Sequence, residues 1–578
     1  MQREERSWMI AWAAGQGAGL WLLHEWLLSL SKQGEYFWLI WPLYMAVLLL
    51  PLSMMLLSAY RQQKRLWPMV TAYVVLIAGL ASYLGYQAWT PALDTFQYAQ
   101  SGVCLALVGF GSWFVLLPFA EHRLLRQRWA DDYALLFAAA WRNSIKLALA
   151  GGFTGLLWLL LLLFANLLKV LGVTYLLDLL GKPIFFYPVT AVTFGIGLSL
   201  YAAKEEVLVG FYRAGLNIAG WLLPVVSLIL LAFLLVLPVQ GLDKLWDTGY
   251  ASSLMLSLLG LTVFLFNAAW QDASGQQRFP PWLLRFIGLG LLTMPVYIGL
   301  CVYALGLRVA QYGWTTERVF AALVILVMAM YALGYAAVVL RREKLWMNSV
   351  SKVNIATALL TVLLGILTCS PLLDPTRIAV HSQLARLLQQ KVKVRDFDFE
   401  YLRFQAGRYG DAALTRLDQE QTHPDAVELR RKAKLAHALT QRQYKPEAVK
   451  LGAEELRQLF KIYPQQAQLP QAFVDALRIS LEDNKVFLGC EKKRPCAVLL
   501  LDLNADGVEE LVLLDGFRSL VYGLEGGQWK KVGTLLGETY KLNEKSVEDA
   551  LTTGNFSSKP THWQDLQIGD MQFKVQEE

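Results

Sequence analysis

Clusters of metal-binding side chains are missing from this sequence of 578 residues. It has five cysteines and six histidines, the cysteines form no CxxC pair, and the histidines are scattered along the chain. Zinc modules bring four such ligands together at short, regular spacings. A zinc site of the usual kind is therefore excluded.

Sequence motifs of the commonest enzymes are absent as well. There is no GxxxxGK[ST] loop for nucleotide phosphates, no HExxH pair and no GxSxG turn. These absences exclude P-loop ATP hydrolysis and the commonest zinc-protease and serine-hydrolase sites. We predict no catalytic residues and expect that the protein is not an enzyme, with a membrane-embedded transferase as a minor alternative.

Charge is also scarce. Only 17% of residues are charged, 55% are apolar, and the mean hydropathy is +0.38, a balance typical of integral membrane proteins. The net charge of +7 lies in the first part of the chain, since residues 1–373 carry a net +8 and residues 374–578 a net −1. The excess belongs to loops between apolar segments, so no basic surface for nucleic acid is expected.

Long apolar runs dominate residues 1–373. A run of about 20 residues crosses the hydrocarbon core of a bilayer as a helix. The first run follows a short charged segment without a cleavage site, so we expect it to be retained. Eleven runs are predicted to span the membrane, at 8–30, 36–58, 67–88, 101–120, 147–168, 185–203, 216–239, 250–270, 282–306, 316–340 and 353–373.

The distribution of lysine and arginine predicts the orientation of these helices. The loops on the side of the N-terminus hold 18 basic residues and the opposite loops hold six. Cytoplasmic loops are the basic ones. We therefore predict a cytoplasmic N-terminus and, because eleven is odd, a C-terminal region after residue 373 that lies outside the cytoplasm.

The region after the last run is predicted to be a soluble α+β domain. Residues 374–485 contain stretches with apolar residues at three- and four-residue steps, such as "HSQLARLLQQ", "DAVELRRKAKLAHAL" and "EELRQLF", which predict short helices. Residues 486–578 alternate β-branched and aromatic residues with glycine turns, which predicts strands. The predicted fold class is a polytopic helical membrane protein carrying two extracytoplasmic subdomains.

One segment of the β-rich part has the spacing of a calcium-binding loop. In "DLNADGVEEL", Asp502, Asn504 and Asp506 are at positions one, three and five, and Gly507 is at the turn. The carbonyl of Val508 and the carboxylate of Glu510 would complete an oxygen shell for a calcium ion. The alternative is a tight hairpin turn without metal, because Asp, Asn and Gly also favour turns.

Two cysteines lie just before this segment. Cys490 and Cys496 flank the charged turn "EKKRP", and in an oxidising compartment such a pair is expected to form a disulfide. Reduced thiols are the alternative.

A few polar residues lie within or at the ends of apolar runs. His24, Glu25, Asn166 and Asn267 stand out, because burying polar groups in lipid is unfavourable and often marks a pathway. They could line a route for transport or lipid handling. Alternatively, they lie at the membrane interface or form hydrogen bonds between helices.

Two stretches resemble a known family. They are "LGLRVAQYGWTTERVFAALVILVMAMYALGYA" and "RDFDFEYLRFQAGRYGDAALTRL". The chain is similar, over most of the membrane region and into the soluble part, to the bacterial inner-membrane family catalogued as domain of unknown function 4153. Tyr312, Gly313, Trp314 and Thr315 carry the most specific part of this resemblance, together with nearby charged residues. The resemblance implies the architecture and no catalytic residue.

From these observations we expect a non-enzymatic membrane component with a periplasmic domain that binds a partner or senses the state of the envelope. A transporter or lipid-handling protein is the alternative. Calcium is the one predicted cofactor.

Overall fold

The computed structural model divides the chain into two compact units, Met1–Arg442 and Gln443–Glu578. The predicted boundaries are at 373 and 485, whereas the first unit continues to residue 442 and two of its helices after residue 373, Pro375–Leu388 and Gly407–Asp418, contact membrane helices. The structure describes residues 2–30, 37–90, 95–130, 132–202, 205–241, 250–271, 279–341, 349–439, 453–464, 467–482, 490, 495–503, 506–514, 519–535, 566–568 and 571–573.

The first unit is helical in its described residues. Most of its helices are longer than 18 residues, and two short 3₁₀ turns, Ser58–Tyr60 and Val394–Asp396, interrupt them. The helices are α1 Gln2–Leu30, α2 Phe37–Leu56, α3 Leu66–Ala88, α4 Thr95–Arg126, α5 Tyr133–Val170, α6 Tyr175–Leu180, α7 Pro183–Ala202, α8 Glu205–Gly220, α9 Leu223–Gln240, α10 Ala251–Trp270, α11 Pro281–Tyr312, α12 Thr316–Arg341, α13 Val350–Thr368, α14 Pro375–Leu388, α15 Phe399–Phe404, α16 Gly407–Asp418 and α17 Ala426–Ala438.

Ten helical segments in the described part of the chain are long and apolar enough to cross a membrane. They coincide with the second to eleventh predicted runs, and the fold class predicted from sequence is confirmed. Leucines at positions 159, 163 and 167 form an exposed stripe along α5, as expected for a helix facing lipid. The protein is a membrane protein in contact with the bilayer.

The first predicted run lies in α1, which is not among those ten segments. Nevertheless α1 lies antiparallel against α2, because Trp8 donates to the carbonyl of Met54 at 3.2 Å and Gln16 donates to that of Leu48 at 3.0 Å. Gly17 allows the same helix to approach the backbone of Pro188 in α7. We infer that α1 is embedded alongside a spanning helix.

Two large groups of buried apolar side chains hold the membrane helices together. One joins α2, α3 and α4 around Leu49, Leu66 and Ile77, and the other joins α9 to α12 around Phe266, Tyr297 and Tyr335. The two faces of this bundle are named here by what lies on them. The N-terminal face holds the end of α2, the start of α3 and the end of α4, and the cap face holds the end of α3 and the turn between α11 and α12.

Helices α14 to α17 form a small layer on the cap face, called the cap here (residues 375–438). Its core contains leucines from each helix, among them Leu384, Leu402, Leu414 and Leu429. The first helix begins after Asp374, whose side chain accepts the backbone N–H groups of Thr376 and Arg377. Asp374 is followed by Pro375, and the two together are a strong signal for a helix start. The helical pattern predicted for this region is confirmed.

The second unit is an α+β module in its described residues. A five-stranded sheet has the order β1-β2-β3-β4-β5, with β1 parallel to β2 and the other neighbours antiparallel. The stretch "EELRQLF" was predicted to be helical throughout, but its last residue is the first residue of strand β1. The elements are α18 Ala453–Arg457, β1 Phe460–Tyr463, α19 Gln471–Glu482, β2 Cys496–Leu501, β3 Glu510–Leu514, β4 Ser519–Glu525, β5 Gln528–Leu535, β6 Leu566–Ile568 and β7 Met571–Phe573.

The sheet of the second unit is covered by α19. Phe473, Val474 and Leu477 of this helix pack on Val498, Leu511 and other apolar side chains of one sheet face. Cys490 and Cys496 form a disulfide at the start of β2, with their Cα atoms 5.3 Å apart, so the predicted pairing is confirmed.

Candidate functional site

The segment with the most specific family resemblance forms the turn between α11 and α12. Gly313 has φ +76° and ψ −178°, a conformation that is essentially restricted to glycine. A Cβ atom at this position would lie 2.5 Å from Cδ of Arg386 in the first cap helix. The glycine therefore serves both the turn and the close approach of the cap.

The cap completes the C-terminus of α11. The last carbonyl groups of a helix have no partner within it and need donors from elsewhere. Arg386 donates to the carbonyl oxygens of Ala310 at 3.2 Å and Gln311 at 2.5 Å. Gln383, one turn earlier in α14, donates to the carbonyl of Tyr312 at 3.0 Å. A membrane helix thus ends in hydrogen bonds supplied by the cap.

Further hydrogen bonds hold the same turn. The backbone N–H of Trp314 donates to Ser382 Oγ at 3.0 Å, and its carbonyl accepts from Gln383 at 2.9 Å. Arg318 in the first turn of α12 donates to the carbonyl of Gly313 at 2.6 Å. The backbone N–H of Arg318 also lies 3.4 Å from Thr315 Oγ1, as expected for a threonine cap. The family-specific segment is the docking point of α14.

A second contact joins the cap to α3 through a buried carboxylate. The hydroxyl of Tyr83 donates to Asp374 Oδ2 at 2.9 Å and lies 2.7 Å from the hydroxyl of Tyr409 in α16. Asp374 is only 3% exposed, and its other oxygen accepts the backbone N–H groups of Thr376 and Arg377. Burial raises the pKa of Asp374 above its ordinary value, although these hydrogen bonds act in the opposite direction.

The end of α3 binds the start of α16. Arg408 donates to the carbonyl of Tyr86 at 2.8 Å, and its guanidinium carbon lies 3.8 Å from the centre of the Tyr86 ring. Gly407, with φ +54°, faces the backbone of Gln87 so closely that no side chain would fit. A cavity of about 50 Å³ remains beside Asp374, large enough for water and not for an organic substrate.

The four intramembrane polar residues predicted as a pathway are not brought together. His24 Nδ1 lies 3.3 Å from the hydroxyl of Tyr187, a hydrogen bond between α1 and α7. Glu25 is exposed at the end of α1. Asn166 is also exposed and donates to the carbonyl of Leu162 in its own helix.

Asn267 belongs to a different group, a buried network of four side chains from four helices. Its side chain donates to the hydroxyl of Tyr335 at 2.8 Å and accepts from Asn354 at 2.6 Å. Tyr335 donates to Asn354 Oδ1 at 2.7 Å, and Asn354 donates to the hydroxyl of Tyr133 at 2.8 Å. The network joins α5, α10, α12 and α13 by hydrogen bonds, which matches the structural alternative for Asn267.

The predicted calcium loop connects β2 to β3. Asp502 accepts the backbone N–H of Gly507, and Asp506 accepts that of Val508. Glu510 is buried, and its Oε2 accepts the N–H of Leu503 at 2.7 Å. Asn504 lies outside the described residues.

These carboxylates shape the turn through hydrogen bonds to backbone N–H groups. The described residues contain no group of three or more His, Cys, Asp or Glu arranged to hold a metal. One oxygen of Asp502 is nevertheless buried and has no hydrogen-bond partner among the described residues, as expected of a free ligand atom. Calcium binding by Asp502, Asn504, Asp506, Val508 and Glu510 stays a prediction.

The residues that attach the cap to the membrane helices were not predicted from the sequence. Asp374 was readable, because Asp followed by Pro and Thr is a helix-start signal. The partners Tyr83, Tyr409, Gln383 and Arg386 carried no such signal, since each is an ordinary residue of its helix until the chain is folded.

Comparison with known proteins gives a family and no activity. No curated protein matches the chain, and no solved structure matches it. The model of a family described as a domain of unknown function (DUF4153) matches residues 36–418, more than half of the chain. The match covers the membrane helices from α2 onward and ends with α16, so it includes the docked part of the cap. The chain is a member of the DUF4153 family.

Proposed function

We propose that this protein is a non-enzymatic component of the bacterial inner membrane whose cap and second unit lie in the periplasm, where they bind an envelope partner or sense the state of the envelope. The observation that carries the proposal is the docking of the cap. Its helices α14 and α16 are joined by directed hydrogen bonds to α3, to the end of α11 and to the turn before α12. A force or a ligand acting on the cap therefore acts on the membrane helices as well.

Two observations support the periplasmic side. Basic residues are concentrated in the loops of the N-terminal face, which is the cytoplasmic pattern. The disulfide between Cys490 and Cys496 suits an oxidising compartment. The cap lies on the face opposite those basic loops.

Cysteine labelling tests the side. Val427 is 77% exposed on cap helix α17, and Lys64 is exposed on the N-terminal face. Of the cysteines outside the disulfide, Cys301 and Cys369 are buried and Cys104 is partly buried, so background labelling is low. Val427→Cys should react with a membrane-impermeant maleimide in intact spheroplasts, and Lys64→Cys only after permeabilisation. The reverse pattern would overturn the proposed side.

Photo-crosslinking tests the partner. A photoreactive amino acid at Val427 or Leu435, both exposed on α17, should yield one shared crosslinked protein in living cells. The same group at Leu163, which is exposed to lipid on α5, is the matched control and should not yield it. Crosslinks from α17 only to residues 443–578 of the same chain would show that the protein's own second unit covers this surface, against the proposal.

Transport or lipid handling is the second candidate, and the cavities between the membrane helices favour its lipid form. A cavity of about 490 Å³ between α4, α12 and α13 is lined almost wholly by apolar side chains, among them Leu107, Val108 and Phe320. Such walls suit hydrocarbon and not a polar solute. If His24→Ala, Glu25→Ala, Asn166→Ala and Asn267→Ala all complement a deletion phenotype fully, the route through those residues is excluded.

A further inference from the structure

A cavity opens on the N-terminal face between α2, α3 and α4. Its volume is about 600 Å³, within the range of roughly 300–1,000 Å³ that holds organic ligands. Apolar side chains form almost all of its wall, with Val70, Leu117 and Trp113 among them. Two arginines, Arg65 and Arg123, also line it.

The polar atoms in the wall are already bonded to protein. Trp113 Nε1 donates to Ser53 Oγ at 2.8 Å, and that hydroxyl donates to the carbonyl of Leu49. The hydroxyl of Tyr73 donates to the carbonyl of Gly109 at 2.7 Å. Apart from the two guanidinium groups, the cavity therefore offers hydrocarbon and aromatic surface, which favours a hydrocarbon chain over a polar molecule.

The charged end of the cavity is positive. Arg65 is the residue before α3, where the helix dipole also favours an anion, and no side chain caps this helix end. Arg123 is in the last turn of α4, and its guanidinium carbon lies 5.6 Å from the centre of the Trp129 ring. Among the described residues neither arginine has an ion-pair partner.

The acidic side chains that the structure describes near this face are engaged elsewhere, Asp132 with the backbone N–H of Leu135. Glu4 pairs with Arg61 at 3.1 Å, and Glu5 accepts from Ser58 at 2.8 Å. Glu121 pairs with Arg142. The positive charge at the cavity mouth thus has room for an external anion.

The depth of the cavity matches one leaflet of a bilayer. It extends along α3 from Arg65 to Tyr73 and along α4 from Arg123 to Trp113. At 1.5 Å per residue these distances are roughly 12 to 15 Å. The hydrocarbon core is about 30 Å thick, so one leaflet accounts for about half of it.

We infer that this cavity binds an anionic phospholipid, with an acyl chain against Trp113 and the phosphate between the guanidinium groups of Arg65 and Arg123. Basic pockets between membrane helices recognise lipid headgroups by this combination of charge and apolar depth. Trp129, beside Arg123, lies where aromatic residues anchor proteins at the level of the headgroups. The site is independent of the cap and of the partner proposed for it.

Native mass spectrometry of the purified full-length protein tests the site. Dioleoyl phosphatidylglycerol and dioleoyl phosphatidylcholine, which share their acyl chains, are titrated separately. Phosphatidylglycerol should bind more tightly, and Arg65→Gln with Arg123→Gln should weaken its binding on the order of tenfold. Inorganic phosphate should not displace it, because a free anion gains nothing from the apolar wall.

Two further variants separate the site from general charge and from misfolding. Lys64→Gln with Arg126→Gln removes two charges next to the lining arginines but outside the cavity, and should leave binding within about twofold of wild type. Ala120→Phe fills the cavity without changing charge and should weaken the binding of both lipids. Equal binding of the two lipids to wild type, or equal losses in the two double variants, would overturn the inference, as would unchanged binding to Ala120→Phe.

Discussion

The hydroxyl of Tyr83 in a membrane helix lies 2.9 Å from a carboxylate oxygen of Asp374, the residue that begins the cap. The two residues are 291 positions apart in the sequence. This hydrogen bond, those between Arg386 and the end of α11, and the packing of Arg408 on Tyr86 form three separate attachments. The cap is therefore part of the membrane fold and not a tethered domain.

Replacing Asp374 tests the first attachment. Asp374→Asn keeps an N-cap and an acceptor for Tyr83, so it should fold normally, whereas Asp374→Leu removes both and should cost about 2 to 4 kcal/mol. Thermal unfolding of the purified protein in detergent measures both changes. Equal melting temperatures of wild type and Asp374→Leu would show that the carboxylate does not stabilise the attachment of the cap.

The stability difference between wild type and Asp374→Asn is expected to depend on pH. Because the pKa of Asp374 is raised in the folded protein, the folded state holds its proton to higher pH than the unfolded state does. This contribution to stability is present below the unfolded pKa and is lost as pH rises through the folded pKa. Asp374→Asn should therefore gain stability relative to wild type as pH rises through that window. A stability difference between the two proteins that does not change with pH, or that changes in the opposite direction, would contradict a pKa raised by burial.

Gly313→Ala tests the second attachment. The substitution places a Cβ against Arg386 in a conformation that only glycine adopts readily, so it should destabilise the protein by about 1 to 3 kcal/mol. Gly306→Ala in the same helix is the matched control, because no atom lies within 4 Å of its added Cβ. The control should be neutral or slightly stabilising. Equal melting of the two variants would contradict the docking geometry.

Asn354→Leu tests the buried network among the membrane helices. It removes the hydrogen bonds of Asn354 to Asn267, Tyr335 and Tyr133. Hydrogen bonds between membrane helices contribute roughly 0.6 kcal/mol each on average and up to about 1.7. A loss of about 1 to 3 kcal/mol in total is expected from unfolding in detergent. Thr361→Val, which removes a hydroxyl bonded within its own helix, should have a much smaller effect.

Calcium removal tests the loop between β2 and β3. If the loop binds the ion, a saturating concentration should raise the melting temperature of the full-length protein, since a ligand at 100 times its Kd stabilises by about 2.7 kcal/mol. Asp506→Asn should abolish the rise, and Asp475→Asn, on α19 outside the loop, should preserve it. Identical melting of wild type in calcium and in chelator would leave the loop as a simple turn.

The architecture could be predicted because it depends on patterns local in sequence. Apolar runs located ten spanning segments, and a spacing of six residues located the disulfide. The run in α1 was also readable as apolar, although glycines and the polar residues Gln16, His24 and Glu25 within it keep its hydropathy below that of the ten segments. The docking of α14 to α17 was not predictable, because it depends on carbonyl groups at helix ends that every helix possesses.

For the candidate sites too, some residues could be identified from the sequence, but their partners became known only from the fold. Asn267 was singled out as polar within an apolar run, but its partners Tyr335 and Asn354 come from helices distant in sequence, so its structural role was visible only in the fold. Gly313 was identified through the family resemblance and explained only when Arg386 was found beside it. Arg65 and Arg123 looked like ordinary loop charges until the cavity placed them together.

The attachment of the cap to the membrane helices is tested most directly by hydrogen–deuterium exchange of the full-length protein. Arg386→Ala removes the donors to Ala310 and Gln311, whereas Arg395→Ala removes an exposed arginine that pairs with Asp396. Amides of α14 and of the turn between α11 and α12 should exchange faster in Arg386→Ala and at the wild-type rate in Arg395→Ala. Equal exchange of these segments in wild type and Arg386→Ala would contradict the account.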